Sequence, residues 1–211
     1  MVGPCRTAKR IGLLLALSSA IVAKTTSLAS AQGTSGRFTQ EEFRRLPRAC
    51  LAQGSINKAL VEPVVSETER DQWARTMGES YKHYHHYCWG LLDMRRGAAN
   101  VGNNQHYYSS AVDNFQYVIR NSTPDFPLLP EVYLRKGLAL RFLARDAESA
   151  AEFLSALRIK PDYTPAYAAL IELYQDLGDL ESARATLETG LRNAPRSKIL
   201  EQKRAELYSN R

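Results

Sequence analysis

The C-terminal half of the sequence repeats one pattern of large and small residues every 34 positions. Pro161 and Pro195 are 34 residues apart, and six matched positions precede each of them. The first set is Tyr133, Gly137, Leu140, Ser149, Phe153 and Ala156, and the second is Tyr167, Ile171, Tyr174, Ala183, Leu187 and Gly190. A period of this length is typical of a solenoid, in which each structural unit contacts only its neighbours.

Each unit is expected to contain two helices joined by a short turn, at residues 144–146 and 177–179. Small residues let the paired helices approach closely, and large residues fill the groove between them. A proline then ends the second helix, because the residue before a proline disfavours helical backbone angles. Since one unit cannot bury its apolar face alone, units must stack. The sequence therefore predicts an all-α, antiparallel helix-pair solenoid.

This pattern resembles the tetratricopeptide repeat of an exported bacterial-type protein, with Ile171 standing where that family has a small residue. The resemblance places full repeats at 130–163 and 164–197. A degenerate helix pair at 80–129 is expected before them, since Ala111, Phe115 and Val118 keep the same spacing. Its register is uncertain by one residue. A polar helix at 198–211 is expected to cap the last apolar face.

An irregular extension at 32–79 is expected to hold short helices. Thr39 with Glu42, and Ser66 with Glu69, fit the capping box that begins a helix. The first of these helices is expected to end near Arg45, and the second is expected to run through Trp73.

The first 31 residues have the organisation of a secretory signal peptide. Arg6, Lys9 and Arg10 precede an uncharged stretch at 11–23, and small residues lead to Ala31. We expect cleavage after Ala31, export to the periplasm or cell envelope, and no integral membrane anchor in the mature chain. A retained anchor is the weaker interpretation, because about 20 apolar residues are needed to span a bilayer.

Charge gives no indication of a nucleic-acid partner. The chain contains 28 Lys and Arg residues against 22 Asp and Glu residues, and four of the basic residues but no acidic one lie in residues 1–31. The remaining chain therefore has a net charge of +2, far from the strongly basic composition typical of nucleic-acid binding.

Cys50 and Cys88 remain after the expected cleavage. In an oxidising compartment an even pair of cysteines favours a disulfide, and two buried free thiols are the alternative.

The resemblance also implies a site. In tetratricopeptide repeats the first helix of each unit lines a groove that binds a partner, at repeat positions 2, 5, 9, 12 and 13. Here these positions hold Glu131, Leu134, Leu138, Arg141 and Phe142, then Pro165, Ala168, Glu172, Gln175 and Asp176. Leu134, Leu138 and Phe142 are expected to form an exposed apolar stripe, beside which Arg141 pairs with an acid of the ligand. The Lys and Asn of the family's carboxylate clamp are absent from positions 5 and 9.

A second local feature is the segment that contains His83, His85, His86 and Cys88. Histidine and cysteine are the ligands that zinc prefers. On one regular helix, however, His83 and His86 share one face, and His85 and Cys88 share another. Four ligands are therefore not expected to converge on one ion. A metal site made of two of these residues and His106 stays an alternative. We predict no resident metal and no cofactor.

The sequence contains none of the common catalytic motifs, such as a phosphate-binding loop or a nucleophile elbow. We therefore expect a non-enzymatic interaction module or assembly adaptor that binds a protein or peptide partner. Two alternatives stay open: a metal- or redox-active envelope protein that uses the histidine and cysteine helix, and a purely structural subunit of an envelope complex.

Overall fold

The structure is a computed structural model that describes residues 39–60, 64–99 and 102–209. Within these ranges the chain forms helices and no strand, which confirms the predicted all-α fold. The helices α1 to α11 are Gln40–Arg44, Arg48–Ala52, Gly54–Ala59, Glu67–Met77, Tyr84–Ala98, Asn104–Asn121, Leu129–Phe142, Asp146–Ile159, Thr164–Asp176, Leu180–Asn193 and Lys198–Ser209. A 3-10 helix, Gly78–His83, lies between α4 and α5. No helix in the described ranges is both long and apolar enough to cross a membrane. The expected leader, residues 1–31, lies outside them.

Consecutive helices pack as antiparallel pairs: α5 with α6, α7 with α8, and α9 with α10. The last helix, α11, packs against both α9 and α10, where it buries Leu200 and Leu207. Its exposed side chains include Lys198, Gln202 and Arg204, although Ile199 and Tyr208 are exposed as well. A largely polar outer face is typical of the helix that covers the end of a solenoid.

The small repeat positions are explained by the approach of α7 to α8. A Cβ atom on Gly137 would lie 2.5 Å from the ring of the fully buried Phe153. Ser149 is also fully buried, and its hydroxyl donates a hydrogen bond of 2.8 Å to the carbonyl of Gly137. Ile171, the large residue at a small position, is buried among Ala183 and Leu187 in the next core cluster. The repeats therefore accommodate a serine and an isoleucine at positions that are otherwise small and apolar.

A close approach between a glycine and a phenylalanine ring also fixes the register of the first helix pair, α5 and α6. A Cβ atom on Gly90 would lie 2.6 Å from the ring of Phe115, so Gly90 corresponds to Gly137 and Phe115 to Phe153. Phe115 follows Gly90 by 25 residues and Phe153 follows Gly137 by 16, a difference of nine residues. Most of this difference lies in the longer helices α5 and α6, because the connection 99–103 is only two residues longer than the connection 143–145 between α7 and α8.

The predicted capping box at the start of α1 is confirmed. Thr39 accepts a hydrogen bond from the backbone of Glu42, and the Glu42 side chain accepts one from the backbone of Thr39. Glu42 also forms an ion pair with Arg96 of α5, and this hydrogen bond lowers the pKa of its carboxyl to about 2. This carboxylate thus joins the N-terminal extension to the first helix pair.

The second predicted start is also observed, because the Ser66 hydroxyl accepts a hydrogen bond from the backbone of Glu69. The carboxylate of Glu69 pairs with Arg48. Helix α4 continues beyond the predicted Trp73 to Met77 and ends at Gly78, whose φ of 63° suits a residue without a Cβ atom.

The extension is held on α5 by Cys50 and Cys88, which the structure joins as a disulfide between α2 and α5. Their Cα atoms are 5.6 Å apart, and both residues are fully buried. This separation lies in the usual range for a disulfide. Oxidation of the pair in the natural protein stays a prediction.

Candidate partner-binding groove

The candidate groove lies along the first helices of the repeats. Helix α9 packs against α7 on one side and α11 on the other. The groove positions predicted from the sequence therefore lie on neighbouring helices, α7 and α9.

The prediction that Leu134 belongs to an exposed apolar stripe is wrong. Leu134 is only 7% exposed and packs in a core cluster with Phe153, Ala166 and Leu170. It is buried because the first turns of α9 pack directly against it. Ala168 is buried as well. Leu134 therefore builds the interface between repeats, and neither residue is available to a partner.

Phe142, at the end of the same stripe, is 60% exposed. Its ring stacks on that of Tyr108 from α6, with the ring centroids 4.6 Å apart and the planes 11° from parallel. This contact holds the aromatic ring in place without covering it. Leu138, one turn earlier, is half-buried against the core. An apolar surface of this kind, already fixed in position, loses little side-chain entropy when a partner binds.

Phe142 forms one wall of a cleft of about 590 Å³ between α7 and α9. The apolar lining comes from Leu138, Phe142, Leu173 and Leu177. Leu177 lies just after α9 and is 55% exposed. Leu173 is fully buried and only closes the floor of the cleft. Sequence analysis missed Leu177, although a leucine in the short turn of a repeat is itself a signal of an exposed apolar group.

Arg141 is already paired within the chain, contrary to the expectation from the sequence. Its guanidinium pairs with Asp176 of α9 and, at 3.4 Å, with Glu172. Burial opposes the positive charge, but the hydrogen bonds and charges of these two carboxylates outweigh it, so the pKa of Arg141 is raised. The predicted ligand contact is instead an ion pair between adjacent repeats, because Asp176 and Glu172 face Arg141 across the helix interface.

The ion pairs continue onto the last helix. The ammonium of Lys203 in α11 lies 2.8 Å from both Glu172 and Glu206. A row of alternating charges therefore runs across α7, α9 and α11, through Arg141, Glu172 and Lys203. It links the two helices that line the cleft, α7 and α9, to the last helix.

The other predicted groove residues have structural partners or peripheral positions. Glu131 accepts a hydrogen bond of 2.7 Å from the hydroxyl of Tyr87 and forms an ion pair with Arg135. Burial and the Glu131 carboxylate raise the pKa of Tyr87 well above its ordinary value. Pro165 lies in the first turn of α9, and Gln175 is half-buried in its last turn. None of these three residues lines the cleft.

The polar lining of the cleft is mainly acidic. Asp146, Glu172 and Asp176 face it, together with the cation Arg141. Asp176 retains 64% exposure of its side chain despite its pairing with Arg141. The cleft therefore combines apolar walls with a negative rim, which favours a ligand that carries an apolar group next to a positive charge.

A second groove lies between α8 and α10, the second helices of the repeats. Its volume is about 720 Å³, and Leu154, Leu157, Tyr167 and Leu170 supply most of its apolar lining. Leu154 is 47% exposed. The charge on this lining comes from Arg158, whereas the α7–α9 cleft presents several charges and two widely exposed apolar side chains. The second groove provides a comparison surface for mutagenesis.

The histidine segment differs from the regular helix assumed above. His83 ends a 3-10 helix, and α5 begins only at Tyr84. The rings of His85 and His86 lie with their centroids 4.5 Å apart, and burial lowers the pKa of His85. The structure joins Cys88 to Cys50, and in this oxidised state its sulfur is not available as a thiolate ligand.

The possible third ligand, His106, lies in the first turn of α6. Asn114 is the residue of α6 that contacts His86. His106 precedes Asn114 by eight residues, and eight residues correspond to about 12 Å along a helix. Across the described ranges, no group of three or more His, Cys, Asp or Glu side chains is arranged to hold a metal ion.

The sequence of residues 141–207 matches the family model for the tetratricopeptide repeat. A search of curated proteins gave no significant match. The residues matched by the family model include the end of α7 and all of α8, α9 and α10.

Several solved structures have similar folds. A thermophilic tetratricopeptide protein from Thermus thermophilus is 21% identical, with 79% of this chain and 84% of that chain covered and a TM-score of 0.53. The tetratricopeptide domain of Arabidopsis OM64 is 15% identical, over 60% of this chain and 99% of that one, with a TM-score of 0.43. The Sgt2 domain from Aspergillus fumigatus is 16% identical, over 57% and 78%, also with a TM-score of 0.43.

Proposed function

We propose that this chain, whose residues 141–207 match the family model for the tetratricopeptide repeat, is a non-catalytic protein-interaction module. It holds a segment of a partner protein in the cleft between α7 and α9. The observation that carries the proposal is the pair of exposed apolar side chains, Phe142 and Leu177, on the walls of a cleft of about 590 Å³. Large apolar groups that face an open cleft usually mark an interaction site.

The chemistry of the cleft also favours one kind of segment. An apolar side chain of the partner fills the space between Phe142 and Leu177 and contacts Leu138. A neighbouring Lys or Arg of the partner faces the acidic rim at Asp146 and Asp176. Arg141 is already paired twice, so it does not repel such a cation strongly.

The test is to replace an exposed wall residue and to measure capture of the partner. Co-purification from the native host identifies the protein that the wild-type chain captures, and titration of that purified protein gives its Kd. We expect Phe142→Asn to weaken this binding by about 2 kcal/mol, or roughly 30-fold, as for a central interface residue. Helical content and melting temperature should stay close to wild type, because Phe142 is exposed.

Leu154→Asn is the matched control, since it removes a similarly exposed apolar side chain from the α8–α10 groove. It should leave the Kd unchanged. If Leu154→Asn abolishes binding while Phe142→Asn does not, the partner occupies the other face and the proposed site is wrong.

We also propose that the protein acts after export, as an adaptor in the periplasm or cell envelope. The basic start, short apolar stretch and small residues before Gln32 support this location. The intact mass of protein purified from the native host should correspond to a chain that begins at Gln32. A pool that begins at Met1 in the cytoplasm would contradict the proposal.

A further inference from the structure

The first helix pair has polar residues at positions where the second pair has apolar core residues. With Gly90 aligned on Gly137, His86 takes the place of Tyr133 and Asp93 takes the place of Leu140. Asp93 is fully buried, as is Leu140. A buried carboxylate at an apolar position is costly for stability, and such local conflicts are expected mainly at functional sites.

These residues form a hydrogen-bonded relay. The carboxylate of Asp93 accepts bonds from the hydroxyl of Ser110 at 2.8 Å and from the amide nitrogen of Asn114 at 3.1 Å. Because a carboxylate accepts from the amide, the orientation of Asn114 is fixed, and its Oδ1 atom lies 2.8 Å from Nδ1 of His86. An amide oxygen accepts hydrogen bonds, so Nδ1 of His86 carries the proton and Nε2 carries the lone pair.

The neighbouring histidine is oriented in the same way. Nδ1 of His85 lies 2.9 Å from the backbone carbonyl of Lys82. Since a carbonyl oxygen only accepts, Nδ1 of His85 is also the protonated nitrogen and Nε2 the basic one. Histidines that bind a metal through one ring nitrogen usually donate a hydrogen bond from the other ring nitrogen to a carbonyl or a carboxylate. The bonds of His85 and His86 are of this kind.

The two rings are close enough to share one ion. A metal–nitrogen bond of about 2.0–2.1 Å, with an angle of about 90–109° at the metal, places two imidazole centroids roughly 4.5–5 Å apart. The centroids of His85 and His86 are 4.5 Å apart. Trp89 lies against both rings, and Tyr117 stacks on His86 with a centroid distance of 3.8 Å, so the pair is held by aromatic contacts.

We propose that His85 and His86 bind one divalent transition-metal ion of the class that prefers imidazole, such as Zn²⁺ or Cu²⁺, through their Nε2 atoms. Asn114 and Asp93 act as positioning residues for His86. The remaining ligands of the ion are water or a group from a bound partner, so the site is open. This inference does not depend on the proposed α7–α9 cleft.

Titration of the purified, untagged protein with ZnCl₂ or CuCl₂ alone tests the proposal. Calorimetry should show one ion per chain, and the electron paramagnetic resonance spectrum of bound Cu²⁺ should show coupling to two imidazole nitrogens. His85→Ala and His86→Ala should each weaken binding by about tenfold or more, since even the loss of an outer hydrogen-bond partner costs about tenfold or more.

His106→Ala is the matched control, because His106 is an exposed histidine on the same helix pair. It should bind like wild type. His85→Ala replaces a partly exposed side chain, so circular dichroism should show an intact fold. The proposal is overturned if the wild-type protein binds neither ion, or if His85→Ala binds as tightly as wild type.

Discussion

Reduction of the Cys50–Cys88 disulfide is expected to lower the free energy of unfolding by about 3–4 kcal/mol. The bond closes a loop with a sequence separation of 38 residues, and this magnitude follows from the chain entropy that such a loop removes from the unfolded state. Differential scanning calorimetry with and without reductant measures the effect, which should be a fall in melting temperature of roughly 6–16 °C. Alkylation of the non-reduced natural protein should modify neither cysteine.

The Cys50→Ala and Cys88→Ala double variant is the control for the reductant. Its melting temperature should be lower than that of the oxidised wild-type protein, and reductant should not change it further. Two reactive thiols in protein taken from the native envelope, together with no effect of reductant on melting, would show that the pair is not oxidised there. The stabilisation would then come from packing of α2 on α5 alone.

Replacement of Gly137 by alanine is expected to destabilise the protein by about 1–3 kcal/mol, although helix propensity alone predicts a gain of about 1 kcal/mol. The added Cβ atom would lie 2.5 Å from the ring of Phe153. Either the ring or the backbone of α7 must move, and close packing around this fully buried side chain resists both movements. Chemical denaturation should therefore show a lower midpoint.

Gly54→Ala is the matched control, because a Cβ atom at this helical glycine meets no atom within 4 Å. Its free energy of unfolding should stay within about 0.5 kcal/mol of wild type, as for other surface substitutions. A stabilising effect of Gly137→Ala would mean that α7 and α8 are less closely packed than the structure has them.

Repeat spacing was sufficient to predict the helical architecture. The period of 34 residues and the alternation of large and small side chains predicted paired helices, and the pairs α7–α8 and α9–α10 follow this pattern. Local signals were equally informative, because the Thr39 and Glu42 capping box depends only on residues three apart. Patterns of this kind are encoded within a few turns of the chain.

The availability of groove side chains was not predictable in the same way. Leu134 and Phe142 both occupy groove positions of one repeat, yet the first is 7% exposed and the second 60%. The difference arises because α9 covers the start of α7 and leaves its end open. Likewise, the sequence assigned Arg141 to a ligand, whereas the neighbouring repeat supplies Asp176 and Glu172.

The sequence by itself therefore determined the class of fold, the helix pairs and the close approach at small residues, because these follow from short-range periodicity and residue volume. Tertiary structure decided which groove side chains remain exposed and which charges are already paired. It also brought Asp93, Asn114 and His86 into one relay, through a register between α5 and α6 that the longer spacing of this helix pair had obscured. Burial and hydrogen bonding between distant residues depend on how whole helices pack, and no local pattern specifies that packing.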